Sequence, residues 1–263
     1  MKNTREQLSS GISDILETLI VKGTGVFPGV KPNPLEVVDR VNVITHFRPH
    51  LYEPLDFFDS HVPLAALDRA AKDQTRRAQY VAAASGLTTG VFGMTGLAVD
   101  LPVLVANSVG LVRRHALVYG FTTIEDSVSD PKPLLFALGA SIGADMVIDR
   151  VGTTIGEKVG LDLSTKLVEK YLVKRISEEF AARLMTSWLP RLVPIIGTVT
   201  IATLDTAFLT VLGRQSARYF HERHLVVRNY LAAEHIERSQ WKSVAANSSL
   251  ALPGSTPTFD PQI

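Results

Sequence analysis

YVAAASGLTTGVFGMTGLAVDLPVLVANSVGLV, Tyr80 to Val112, is the most apolar stretch of the chain, and the rest is read outward from it. Gly86, Gly90, Gly93 and Gly96 punctuate its first half, and Asp100 stands directly before Leu101-Pro102. At 100° per residue the first three glycines share one narrow helical stripe, from which Gly96 drifts. A stripe without side chains lets a second backbone come close, the packing favoured where helices meet in or near lipid. Pro102 disfavours the helical region for Leu101, so two helices with a break at Asp100-Leu101-Pro102 are expected.

Upstream, Thr4 and Gln7 have capping-box spacing, and Leu8, Ile12, Ile15, Leu16, Leu19 and Ile20 mark one face of a first helix ended by Gly23 and Gly25. Asn33-Pro34-Leu35-Glu36 is a second start signal, with a cap, a proline at the first helical position and a glutamate after it. That helix should run to about Phe47, where Pro49 stops it. His50 to His61, with Pro54 and Phe57-Phe58, reads as an irregular connection with aromatic anchors. Pro63 opens a helix through Leu67, Ala70 and Ala71 that carries the polar group Lys72 to Arg77 into the apolar stretch. Downstream, Gly120 fits a left-handed cap after Tyr119.

Leu134 to Ile148 is again apolar, with Gly139 and Gly143 four apart, and Gly152, Gly156 and Gly160 continue the device. A long amphipathic helix through Leu167, Ile176, Phe180 and Trp188 follows. Leu192 to Leu212 is a second apolar run, about one bilayer long, containing Pro194, Gly197 and Asp205. It continues into a charged helix with Arg214, Arg218, His221, Arg223, His224 and Arg228. No strand-like alternation stands out. The expected fold is all-α, a multi-helix bundle with glycine-rich apolar hairpins. The divisions expected are 1–62 for the N-terminal helices and connection, 63–243 for the main helical domain, and 244–263 for a disordered tail rich in Asn, Ser, Pro and Thr.

Hydrophobic residues make up 46% of the 263 residues and the mean hydropathy is +0.16, high for a soluble protein and short of a polytopic transporter. The formal net charge of +1 gives no global drive toward nucleic acid, and no nucleic-acid module is visible. Without cysteine there are no disulfides and no thiolate metal sites. The first residues lead into an amphipathic pattern rather than a signal-peptide run, so synthesis without export is expected.

Tyr80 to Val112 is about 33 residues, too long for one crossing and too short for two plus a turn at roughly 20 residues each. Arg76-Arg77 precede it and Arg113-Arg114 follow it; Arg191 and Arg214 bracket the second run. Basic residues on both flanks fit a single crossing poorly. They fit helices that dip into one leaflet, with Arg113, Arg114, Arg214 and Arg218 at headgroups, or helices that form a buried core. Asp100 and Asp205 are then polar groups in a pocket or within the membrane, although Asp100 also suits a helix start.

Gly139-Ala-Ser141-Ile-Gly143 matches the G-x-S-x-G nucleophile elbow, with Leu134 to Leu138 as the strand before it and Asp205 then His221 or His224 in hydrolase order. No other strands are available to build the sheet an elbow needs. His221 and His224, at i and i+3, can hold zinc only with a third ligand, so no metal and no cofactor is expected. Gly152 to Lys158 falls one residue short of a P-loop.

Gly86-Leu-Thr-Thr-Gly90-x-x-Gly93-x-x-Gly96-Leu97-x-x-Asp100-Leu101-Pro102, followed by Tyr119-Gly120-Phe121, resembles the EcsC family. Val193-Pro194-Ile195-Ile196-Gly197, with Asp205 and Ala217-Arg218-Tyr219-Phe220, resembles that family's C-terminal block. The likeness covers about Leu67 to Leu225. It implies a bacterial, largely helical, membrane-associated protein, from a family named after a gene neighbour of an ABC transporter that affects secretion and competence. It carries over no catalytic residues, and it departs at Asp205, where the family pattern has Asn.

The expected function is a non-enzymatic, membrane-associated helical protein, peripheral or monotopic at the cytoplasmic face of the cell membrane. It would bind lipid or a transporter or secretion partner. A soluble helical module enclosing a hydrophobic ligand is the alternative, and a serine hydrolase using Ser141 the second alternative.

Overall fold

The computed structural model describes residues 11, 14, 32–46, 51–90, 93–122, 132–141, 174–182 and 198–249. The helices are α1 (Pro34–Thr45), a 3-10 turn Pro54–Phe58, α2 (Leu64–Gly90), α3 (Gly93–Val118) and α4 (Lys132–Ser141). They continue with α5 (174–182), α6 (Thr198–Ala233), a 3-10 turn Arg238–Gln240 and α7 (Trp241–Ser249). No strand occurs among the described residues. The all-α bundle is as expected.

Helix α1 begins as its sequence dictates. Asn33 Oδ1 accepts a hydrogen bond from the Leu35 N–H at 3.0 Å, and Pro34 sits where no intrahelical N–H is needed. The helix ends at Thr45, two residues earlier than expected, because His46 turns left-handed at φ 49 and its N–H returns to Asn42. Val37, Val38 and Val41 bury one face. The aromatic anchors of the connection hold as expected: Phe57 and Phe58 are buried in the 3-10 turn.

Helices α2, α3 and α6 form the body of the molecule, with α2 against α6 the most extensive contact. Helix α2 buries Leu67, Ala70, Ala71, Ala78 and Ala82, the 3.6-residue period of an amphipathic helix. Helix α3 is enclosed almost all round from Leu104 to Val118, as expected of a central helix. Along the α2–α3 seam, Asn107 Nδ2 donates to Ala78 O, His115 Nε2 lies 3.0 Å from Ala71 O, and the Tyr119 hydroxyl donates to Asp68. The partners step down one helix as they climb the other, so the pair is antiparallel. The α2–α6 seam has the same sense, through Gln79 with Thr210 and Asp68 with His221. Helix α6 has 36 residues and is about 54 Å long at 1.5 Å per residue.

Two expectations need correction. The break at Asp100-Leu101-Pro102 does not occur, because α3 runs through Pro102 without interruption. Proline removes one backbone donor and crowds the preceding turn, but Leu104, Val105 and Val109 are buried just beyond it, so tertiary packing overrides the local preference. The strand that a nucleophile elbow would need at Leu134–Leu138 is absent, because these residues are part of α4. Helix α7 runs across the division expected at 244, with Ala245 buried and Val244 and Trp241 packed on the core, and the rest of the expected tail lies outside the described residues. Val37, Val41, Phe57 and Phe58 join residues of α2, α3 and α6 in one buried cluster.

Gly120 is the left-handed cap the sequence predicts, at φ +91. Its N–H bonds to Leu117 O and that of Phe121 to Ala116 O, the paired bonds of a Schellman ending. Gly86, Gly90 and Gly93 fall in the last turns of α2 and the start of α3, and Gly139 is buried in α4. How the first three pack lies outside the described residues, as do Gly143, Gly152, Gly156, Gly197 and the first helix beyond residues 11 and 14.

Candidate functional site

The glycine that visibly brings two helices together is Gly213, which was not in the expected set. A Cβ there would lie 2.5 Å from Thr75 Cγ2, closer than carbon atoms pack, so α2 and α6 can meet at this level only without a side chain. Thr75 is also fixed from within: its hydroxyl donates to Ala71 O at 3.1 Å. Beside it, His115 of α3 reaches Ser216 Oγ at 2.6 Å through Nδ1 and Ala71 O at 3.0 Å through Nε2. A carbonyl can only accept, so Nε2 carries the proton and Nδ1 accepts from the serine. Full burial pushes the His115 pKa down to about 4, with the Ala71 bond offsetting part of the effect and Arg114 adding to it. A neutral imidazole thus pins three helices together.

Outward from this pin, α2 and α6 line a cleft of about 780 Å³ that includes Thr75 and Gly213, within the size range of small-molecule sites. Asp68, Lys72, Arg76 and Gln79 line one wall, and Thr210, Arg214, Arg218, His221 and Glu222 the other. At one end Asp68 accepts from the Tyr119 hydroxyl at 2.7 Å and contacts His221 Nδ1 at 2.8 Å. Burial, and then Asp68, raise the Tyr119 pKa well above the ordinary phenol range, so it remains a donor. Behind it, His224 Nδ1 donates to Tyr119 O at 3.0 Å, and its ring stacks on Phe58 at 4.9 Å between centroids. Burial pushes the His224 pKa down to about 4, against the smaller opposing effect of that hydrogen bond. His221 and His224 therefore serve different partners, and no group of three metal-ligating side chains occurs among the described residues.

At the other end Gln79 donates to Thr210 Oγ1 at 2.6 Å. Between the ends, Lys72, Arg76, Arg214 and Arg218 are exposed. Arg218 is engaged by Glu222 of its own helix at 2.8 Å. Beyond the Gln79 end, Tyr80 is 75% and Val211 57% exposed, one turn from Arg76 and from Arg214 respectively.

The expected site residues divide. Arg214 and Arg218 line the cleft. Arg113 is 1% exposed, in the enclosed part of α3. Arg114 is mostly buried, and burial lowers its pKa. Asp205 is 1% exposed on the inner side of α6 and does not line the cleft. Asp100 is helical in α3, but its side chain lies outside the described residues. Ser141 is buried in α4, its hydroxyl donating to Ala137 O, the back-bonding of a helical serine and not the exposed hydroxyl of an elbow. A fluorophosphonate should therefore leave Ser141 unlabelled; covalent labelling lost in Ser141→Ala would restore the hydrolase reading. Asp68, Lys72, Arg76 and Tyr119 were missed as a site. The polar run Lys72 to Arg77 inside an apolar context was the available signal, and nothing local ties it to His221, 153 positions away.

No curated protein and no solved structure matches the chain. The EcsC protein family does match, over residues 42–225, a span that opens in α1, closes in α6 and contains every residue of the cleft. The chain belongs to the EcsC protein family.

Proposed function

We propose that the chain is a non-enzymatic helical protein that associates peripherally with the cytoplasmic face of the cell membrane, binding lipid through the outer face of α2 and α6. The observation that carries this reading is the pairing of exposed apolar and cationic side chains on that face. Tyr80 and Val211 are more than half exposed, Arg76 and Arg214 are exposed one turn from them, and Arg218 is exposed on the same wall of the cleft as Arg214. Tyrosine favours the headgroup level, and each basic residue near an anionic surface adds about 1 kcal/mol of attraction. Among the described residues, no helix is long and apolar enough to cross a membrane. Close packing through Gly86, Gly90 and Gly93 belongs to the same reading, and the family resemblance supports a transporter or secretion protein as the partner at that membrane.

Flotation tests this directly. The protein should rise with vesicles containing anionic lipid at low salt, remain behind with zwitterionic vesicles, and be released as salt shortens the screening length. Equal flotation with both compositions, or with neither, would contradict the reading.

A further inference from the structure

We infer that the half of the cleft between Arg76 and Arg214 binds a phosphomonoester, the doubly charged end group of a phosphorylated ligand. Helices α2 and α6 come together at Thr75 and Gly213. Arg76 and Arg214 each follow directly in sequence, so they rise from opposite walls at one level. Lys72 stands one turn from Arg76, about 6 Å along the axis. Lys72, Arg76 and Arg214 form no ion pair among the described residues, whereas Arg218 is held by Glu222. Three cations thus line one stretch of the cleft, and the carboxylate acting on Arg76, that of Asp73, is bonded to Arg40 at 2.9 Å.

The opposite end of the cleft sets the position of the ligand. Asp68 is held there by Tyr119 and His221, and its carboxylate repels an anion from that end. The anion is confined to the Arg76–Arg214 half, over the Gln79–Thr210 hydrogen bond. A phosphomonoester carries about −1.5 to −2 charges at neutral pH, which three cations offset, and each arginine offers a planar fork that grips two phosphate oxygens. A phosphodiester brings one charge and fewer free oxygens. Tyr80 and Val211, just outside, are placed to receive the apolar part of an amphiphile.

The site deepens the membrane reading and rests on it only for the source of the phosphate, a lipid headgroup or a soluble ester. The full chain is titrated with glycerol 3-phosphate, and is floated with phosphatidic acid vesicles and with phosphatidylglycerol vesicles matched in surface charge. Binding to phosphatidic acid should be at least about tenfold tighter, with glycerol 3-phosphate competing. Arg76→Gln with Arg214→Gln should remove that preference without changing thermal melting. The double lysine variant, which keeps charge and loses the fork, should fall between. Equal binding to the two vesicle types with no competition by the ester overturns the phosphate site and leaves the membrane reading standing. Ester binding without vesicle binding supports the site and overturns the lipid source. Binding to neither overturns both.

Discussion

Acidified from pH 7 to pH 4.5, the protein should lose several kcal/mol of folding stability, with most of the loss between pH 6.5 and 4.5. His115 and His224 are the cause. Each is held neutral in the fold with its pKa near 4, against an ordinary value of 6.5. Between those values the unfolded chain binds two protons that the folded chain refuses, so stability rises with pH throughout the window. Above 6.5 neither state is protonated and the penalty vanishes. On descending, each histidine removes up to about 1.4 kcal/mol per pH unit. Since total stabilities run to roughly 5–15 kcal/mol, two such groups suffice to approach unfolding. The carboxylates shifted by local bonds, Asp59 and Asp73, are lowered from 3.8; their stabilisation is present above that value and is lost only in still stronger acid. Urea midpoints at pH 7, 6 and 5 check the expectation, and His115→Gln should flatten the slope by about half. A midpoint unchanged from pH 7 to 5 would show that the histidines are solvated.

Gly120→Val should be the most damaging single substitution at a helix end. Gly120 has φ +91, and a Cβ there would lie 2.7 Å from Phe58 Cε2 and 3.0 Å from Cζ. Phe58 cannot swing aside, because it stacks on His224 at 4.9 Å and meets Phe121 edge-on at 5.5 Å. Backbone strain of about 1–3 kcal/mol adds to overpacking of about 1–3 kcal/mol. For a chain of this size that corresponds to roughly 5–15 °C in Tm. Combining Gly120→Ala with Phe58→Leu should relieve the collision while leaving the backbone strain. A Gly120→Val protein melting within a degree of the parent would mean that Phe58 and the α3 ending are not in contact.

Much of the architecture was legible because its signals are local. The Asn33-Pro34 start, the opening at Pro63 and the left-handed Gly120 each depend on a few neighbouring residues. The failures share the opposite property. Pro102 reads as a break from its neighbours alone, yet burial of the turns beyond it keeps α3 intact. Gly213 lacks the regular spacing of the other glycines; what makes it matter is Thr75 on another helix. The burial of Arg113 follows only from the central place of α3, which its neighbours in the chain do not show. The cleft was half legible: Arg214 and Arg218 stood out on α6, while the wall from Asp68 to Gln79 became part of a site only through antiparallel pairing.

Contact between the α2–α6 face and an anionic membrane can be read at one position. The chain has no cysteine, so Tyr80→Cys carries a single polarity-sensitive dye, with Ser243→Cys in exposed α7 as its counterpart. On adding anionic vesicles the dye at position 80 should shift to the blue while that at 243 stays unchanged. Unshifted emission at 80, or the same shift at both positions, would contradict the account.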